Sequence, residues 1–85
     1  MTLDKLAKHK PQRISRILRS AETPELARQL EEIGFLPGER VMVMARAAPG
    51  GDPLVVRVGM STFALRRAEA QLVQLGSAGA SAGNA

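Results

Sequence analysis

Apolar residues recur at helical spacing in one clear stretch of the chain, residues 24–33. Positions three or four apart share one face of a helix, so the stretch predicts an inner face made of Leu26, Ala27, Leu30 and Ile33. Thr23 stands at the N-cap position, where its side chain is expected to cap the helix. Pro24 stands at the first helical position, which proline favours. Gly34 then supplies the left-handed residue that ends a helix. The pattern predicts a helix of about three turns.

Beyond this helix, the apolar residues come in short runs that are rich in β-branched side chains and separated by turn residues. The runs predict four strands, at residues 40–46, 54–58, 62–65 and 71–75. Turn residues at 35–38 and 49–53 separate the first runs, and the second of these segments predicts a hairpin. A single helical turn is expected at 66–70. Ala64 and Leu65 are predicted to be core residues.

The first twenty residues fit two patterns. Ile14, Ile17 and Leu18 have helical spacing, whereas Ile14, Arg16 and Leu18 would share one face of a strand. We predict a strand at residues 12–18, because a small barrel needs a further strand to close its edge. The chain is therefore expected to be mainly β, with about five antiparallel strands and the helix inserted after the first strand.

Composition indicates one small domain and a low-complexity end. The chain has 85 residues, which leaves room for a single core. We assign residues 1–75 to this domain and the Gly/Ala/Ser-rich residues 76–85 to a flexible tail. No segment approaches the ~20 apolar residues of a membrane-spanning helix. Cysteine is absent, so nothing argues for an oxidising compartment, and the cytoplasm is the expected location.

Positive charge is concentrated near the start of the chain. The formal net charge is +4, with 12 Lys and Arg against 8 Asp and Glu. Residues 1–20 contain six of these basic residues and a single acidic one, Asp4. This segment is either a face that meets phosphate, anionic lipid or an acidic protein, or an ordinary solvated face.

The residue types needed for catalysis are scarce. The chain has one histidine, His9, and no Cys, Tyr or Trp, and none of its serines lies in a nucleophile-elbow pattern. The segment 49–53 has neither the glycine spacing of a dinucleotide loop nor a P-loop lysine. Asp52 in that segment is expected to hydrogen-bond its own turn backbone. We predict that the chain is not an enzyme and binds no cofactor.

Metal and nucleic-acid binding are both weakly supported. No histidine or carboxylate pattern has the spacing of a metal site, and any ion is expected only as an adventitious ligand of His9, Glu31 or Glu32. Barrels that bind single strands stack bases on exposed aromatic residues, but Phe35 and Phe63 lie in contexts that predict burial. Charge without stacking predicts weak, non-specific binding to nucleic acid.

Three blocks of residues together resemble a known family. They are Leu30-x-x-Ile33-Gly34-Phe35-x-Pro37-Gly38, Gly51-Asp52-Pro53-Leu54-x-Val56 and Phe63-Ala64-Leu65-Arg66-Arg67-x-Glu69-Ala70. In this order they resemble the FeoA family of small domains that serve bacterial ferrous-iron uptake. The resemblance implies an SH3-like barrel with a short helical insertion. It also implies a cytosolic, non-enzymatic accessory protein that acts with FeoB, the membrane ferrous-iron transporter that bears a GTPase domain.

Partner contacts are predicted at two places within these blocks. Leu36 and Pro37 are apolar candidates in the loop after the helix, because SH3-type folds recruit partners through grooves between loops. Arg66 and Arg67 would either bond backbone carbonyls or face carboxylates of the partner, with the structural role expected first for Arg66. Residues 1–20 could add weak attraction to an anionic membrane surface. The pattern makes no prediction about self-association.

Two alternatives remain at the level of sequence. The C-terminal domain of DtxR-type metal-dependent repressors also resembles FeoA, so the chain could serve transcriptional regulation. Such a repressor needs a winged-helix domain, which residues 1–20 are not expected to hold. The other alternative is a basic domain that binds nucleic acid without sequence preference.

Overall fold

A computed structural model describes residues 1–76 of the chain. A short 3-10 turn at Leu3–Lys5 comes first. The strands are β1 (Gln12–Ile17), β2 (Arg40–Arg46), β3 (Leu54–Val58), β4 (Ser61–Leu65) and β5 (Val73–Leu75). The helices are α1 (Pro24–Glu32), between β1 and β2, and the four-residue α2 (Arg67–Ala70), before β5. The predicted mainly β architecture with a helix after the first strand is therefore confirmed.

The five strands form one antiparallel sheet in the order β4-β3-β2-β1-β5. β1 pairs with β2 only at its start, where Gln12 lies opposite Val41 and Arg13 opposite Arg40. From Ile14 onward β1 pairs instead with β5. The first strand thus connects the β2–β3–β4 meander to the last strand, which is the closing role predicted for residues 12–18.

The core is formed where the inward faces of the strands meet α1. The strand residues Val41, Val43, Leu54 and Val56 are almost completely buried, as the alternation of side chains along each strand requires. Phe35 is fully buried, and its ring centroid lies 5.9 Å from that of the partly buried Phe63. No polar or charged residue among positions 1–76 is buried, so the core is entirely apolar in this part of the chain.

Several local predictions were wrong. Thr23 occupies the N-cap position of α1, but its side chain makes no capping hydrogen bond. Ile33 is 41% exposed, because α1 ends at Glu32 and the chain turns before Ile33 can complete the inner face. Ala64 is exposed while Leu65 is buried, since adjacent residues of a strand point to opposite faces.

The N-terminal segment lies along β2. The backbone N–H of His9 donates to the carbonyl of Val43 at 2.8 Å, and the guanidinium of Arg46 donates to the carbonyl of Leu6 at 2.7 Å. Leu3 and Leu6 are buried. In the residues described, no helix is long and apolar enough to cross a membrane. The predicted tail, apart from Gly76, lies outside the described residues.

Candidate partner-binding site

The loop that follows α1 holds an exposed leucine on a rigid support. Gly34 begins the loop with a φ of 115°, in the left-handed region that glycine tolerates without strain. Phe35 then enters the core, and its backbone N–H donates to the carbonyl of Leu30 at 2.9 Å. Leu36 points outward and is 44% exposed. The buried neighbour thus fixes the position of the exposed one.

The far side of this loop is attached to β1. Gly38 donates its N–H to the carbonyl of Ile14, and Ile14 donates its own to the carbonyl of Glu39, both at 2.8 Å. The guanidinium of Arg13 also donates to the carbonyl of Gly38 at 2.8 Å. With both of its ends bonded to regular structure, the Leu36-Pro37 pair is presented by an ordered loop.

The turn between β3 and β4 lies at the same end of the sheet as this loop. Gly59 donates its N–H to the carbonyl of Arg40 at 3.3 Å, which places the turn beside the start of β2. The next residue, Met60, is 95% exposed. Loop and turn therefore place Leu36 and Met60, two exposed apolar side chains, at one end of the sheet.

A groove of about 560 Å³ lies at this end. We call it the basic groove, defined by its lining residues Pro11, Arg13, Gly38, Glu39, Arg40, Val41, Met42, Arg57 and Gly59. Three arginines and a single carboxylate line it, so its net charge is positive. The groove adjoins the Leu36-Pro37 loop through Gly38.

Arg66 and Arg67 lie at the other end of β2, near the β2–β3 turn. The N–H of Arg67 donates to the Asp52 carboxylate at 3.0 Å, and the Arg67 guanidinium donates to the carbonyl of Gly50 at 2.8 Å. The expectation that Asp52 bonds its own turn was therefore wrong, because its carboxylate reaches the start of α2 instead. At the same start, the Glu69 carboxylate accepts from the N–H of Arg66 at 2.8 Å.

Bonding of a backbone carbonyl was expected first for the side chain of Arg66, but it is the side chain of Arg67 that makes such a bond. Among residues 1–76, the guanidinium of Arg66 has no hydrogen-bond or ion-pair partner, and Arg66 lines a surface pocket with Asp52, Pro53 and Ala64. The two predicted contact regions do not converge. They lie at opposite ends of the seven-residue strand β2, which spans roughly 20 Å at ~3.3 Å per residue.

The basic cluster of residues 1–20 is divided in the folded chain. Arg19 forms a two-pronged ion pair with Glu31 of α1, in which its Nη2 donates to both carboxylate oxygens, at 2.9 and 2.8 Å. Arg13 enters the basic groove. Lys8 and Lys10 are exposed on either side of His9. The cluster is therefore not one continuous basic face.

Of the three residues named as adventitious metal ligands, the two glutamates are paired with arginines and the histidine is exposed. His9 is exposed, with a φ of 64°. Glu31 is paired with Arg19, and Glu32 lies 3.9 Å from the guanidinium of Arg28. Within residues 1–76, no group of three or more His, Cys, Asp or Glu residues could hold a metal ion.

A protein-family model described as the FeoA domain matches residues 1–75. The chain belongs to the FeoA family. Membership makes it a non-enzymatic accessory domain of a family implicated in ferrous iron transport. No curated protein matches the chain significantly.

Solved FeoA structures agree with this assignment. The FeoA of Stenotrophomonas maltophilia, solved in complex with zinc and described as a procaryotic SH3 domain protein, is 39% identical, with a TM-score of 0.80 and 88% of each chain covered. Iron(II) transport protein A of Clostridium thermocellum is 37% identical, with a TM-score of 0.77, covering 88% of this chain and 44% of that one. The SH3-like fold expected from the resemblance is confirmed.

A manganese-dependent transcriptional repressor shares the fold alone. It is 24% identical, with a TM-score of 0.70, and the match covers 88% of this chain but 41% of the repressor. The similarity to metal-dependent repressors noted from the sequence therefore extends to the SH3-like fold and no further.

The basic groove is the feature of this FeoA domain that the sequence patterns did not reveal. Its arginines, Arg13, Arg40 and Arg57, come from three different strands and are far apart in sequence. The alternation of β2 and β3 could have placed Arg40 and Arg57 on the outer face, opposite the buried valines. Only the pairing register brings them together with Arg13.

Proposed function

We propose that this chain is a cytoplasmic accessory protein of bacterial ferrous-iron uptake that binds the membrane transporter FeoB through the Leu36-Pro37 loop. The carrying observation is that Leu36 is 44% exposed on a loop bonded at both ends. A preordered apolar side chain loses little conformational entropy when a partner covers it. The Stenotrophomonas relative, described as a candidate activating factor for ferrous iron transport, supports the same pathway.

Arg66 and residues 1–20 have secondary roles in this proposal. Arg66 is exposed at the opposite end of β2, where its guanidinium could meet a carboxylate of the partner. Arg67 would act by holding the turn, through Gly50 and Asp52. The exposed lysines near the N-terminus would contribute weak attraction to anionic lipid, which would help to keep the domain near a membrane-bound partner.

The test is co-purification of the chain with FeoB from membranes that contain both proteins. Leu36→Ser should reduce recovery of the chain strongly, because it removes the exposed apolar contact without disturbing the core. Ala45→Ser, at an exposed position of β2, is the matched control and should be recovered like the unmodified chain. Amide NMR spectra of both variants check that each is folded.

The proposal is overturned if the unmodified chain does not associate with FeoB at any ionic strength. Equal recovery of the unmodified chain and the folded Leu36→Ser variant would show that the loop does not carry the interaction.

A further inference from the structure

On the outer face of β1, β2 and β3, three arginines line the basic groove. Arg13 of β1 lies directly opposite Arg40 of β2, and Met42 of β2 lies opposite Arg57 of β3. This register makes Arg40 and Arg57 diagonal neighbours across the strand pair, a relation in which residues are ~7–8 Å apart and long side chains can reach each other. The buried Val41 and Val58 on the inner face confirm that these residues point outward.

The three arginines of the groove outnumber its single carboxylate. In residues 1–76, ion pairs are formed by Arg19 and Arg28, but not by any arginine of the groove. Glu39 is the one carboxylate among its lining residues. Directly opposite like charges destabilise a strand pair, so the facing of Arg13 and Arg40 does not help the fold. A bound anionic group would relieve this repulsion.

The lining of the groove combines charge with apolar surface. Pro11 and Met42 lie among the arginines, and Gly38 and Gly59 line the groove without side chains. Such a surface can contact carboxylates and aliphatic side chains of one ligand at the same time.

We infer that the basic groove is the docking site for an acidic, extended peptide segment of a protein partner. Charge complementarity carries this assignment, because guanidinium groups bind carboxylates through paired hydrogen bonds. The alternation of carboxylate and apolar side chains along an extended segment would suit the arginines and Met42 together. The exposed Leu36 and Met60 at the same end of the sheet would add apolar contact beyond the groove.

The features favour a peptide over other anions. Sites for single-stranded nucleic acid stack bases on aromatic side chains, but no aromatic residue lines the groove. Clusters of roughly 4–8 Lys and Arg are typical of segments that bind anionic membranes, whereas three arginines line the groove. The inference rests on the proposed function in one respect: FeoB is the partner that would supply the acidic segment.

The test uses the full chain and a fluorescent peptide rich in glutamate, with the same peptide carrying glutamine at every glutamate as the matched probe. Binding is followed by fluorescence anisotropy and by amide NMR shifts. The glutamate peptide should bind saturably, shift resonances of the groove residues and weaken as salt is added. The glutamine peptide should bind at least about tenfold more weakly, since hydrogen bonds from guanidinium groups to carboxylates are stronger than those to neutral amides.

Charge reversal inside and outside the groove separates a specific site from diffuse attraction. The double variant Arg40→Glu/Arg57→Glu should lose binding of the glutamate peptide by about tenfold or more. The double variant Lys5→Glu/Arg16→Glu changes net charge equally at exposed positions outside the groove and should retain most of it. Amide spectra confirm that both are folded.

Four outcomes would overturn the inference. They are equal loss of binding in the two double variants, equal binding of the two peptides, tighter binding of a single-stranded oligonucleotide at the groove, and groove shifts caused by anionic vesicles but not by the peptide. Because FeoB is absent from this assay, a failure to co-purify with FeoB leaves the groove result standing. A failed peptide assay likewise leaves the proposal for the Leu36-Pro37 loop intact.

Discussion

The carboxylate of Asp52 accepts a hydrogen bond from the backbone N–H of Arg67, with the two atoms 3.0 Å apart. Arg67 in turn donates from its guanidinium to the carbonyl of Gly50 at 2.8 Å. The β2–β3 turn and the start of α2 are thereby joined by two hydrogen bonds, both donated by Arg67. Two of the sequence blocks that resemble FeoA, Gly51-Asp52-Pro53 and the block containing Arg66-Arg67, contact each other at this point.

Replacing Asp52 tests the energetic value of this contact. Asp52→Ala should lower the free energy of unfolding by about 1 kcal/mol, because a carboxylate that satisfies an N–H at a helix start typically contributes that much. Asp52→Asn keeps an oxygen acceptor and should cost less. Urea denaturation of both variants provides the measurement. An unchanged midpoint for Asp52→Ala would show that the bond contributes nothing to stability.

The ion pair between Arg19 and Glu31 connects the segment after β1 to α1. A double-mutant cycle with alanine at both positions should give a coupling energy of about 0.5 kcal/mol, since exposed pairs typically yield ~0.2–1 kcal/mol. The coupling should decrease as salt is added. A parallel cycle on Arg28 and Glu32, 3.9 Å apart on one helix face, should give less. Equal coupling in the two cycles would contradict the importance of the shorter, two-pronged geometry.

Gly34 is expected to be intolerant of substitution for a conformational reason alone. Its φ is 115°, and an added Cβ would meet no atom within 4 Å. Gly34→Ala should therefore destabilise the fold by about 1–3 kcal/mol through backbone strain, without a clash. Gly76→Ala is the control: its Cβ would lie 3.6 Å from the Arg13 carbonyl, an ordinary contact. Comparable losses in thermal unfolding of the two variants would contradict this account.

The like-charged pair Arg13 and Arg40 predicts a gain in stability on neutralisation. Arg40→Gln should raise the free energy of unfolding by about 0.2–1 kcal/mol, the range expected for cross-strand pairs. The gain should shrink at high salt, because the repulsion is screened. Arg16→Gln, whose cross-strand partner is Gln74, should show no such gain. Chemical denaturation of the variants at two salt concentrations provides the measurement. A loss of stability in Arg40→Gln would show that Arg40 makes a favourable contact and would contradict the repulsion.

Most of the fold could be predicted because its signals are local. The spacing of apolar residues and the positions of glycine and proline gave the bounds of β2 and β3, and those of α1 to within one residue. The errors lie at or near element ends, and the largest is at β5, which begins at Val73, two residues later than predicted. Ile33 continues the helical pattern but lies beyond the end of α1, and Ala64 continues an apolar run although every second residue of a strand faces outward.

The candidate site was predictable only in part. The Leu36-Pro37 loop could be predicted because its apolar residues follow Gly34, which ends the helix, and Phe35, whose context predicts burial. The exchange of roles between Arg66 and Arg67 could not, because it depends on where the β2–β3 turn lies in space. Arg67 meets that turn through Gly50 and Asp52, which are well separated from it along the chain.

The sequence by itself determined the elements, the apolar core pattern and the family, since these are carried by residue spacing and by short motifs that need no distant partner. Only the tertiary structure decided which distant residues meet. Strand register set Arg13 opposite Arg40 and placed Arg57 beside them, and the packing of α2 brought Arg67 to Asp52. Register depends on the pairing of whole strands. It therefore separates Arg13 from the other basic residues of 1–20 and places it in a groove with Arg40 and Arg57.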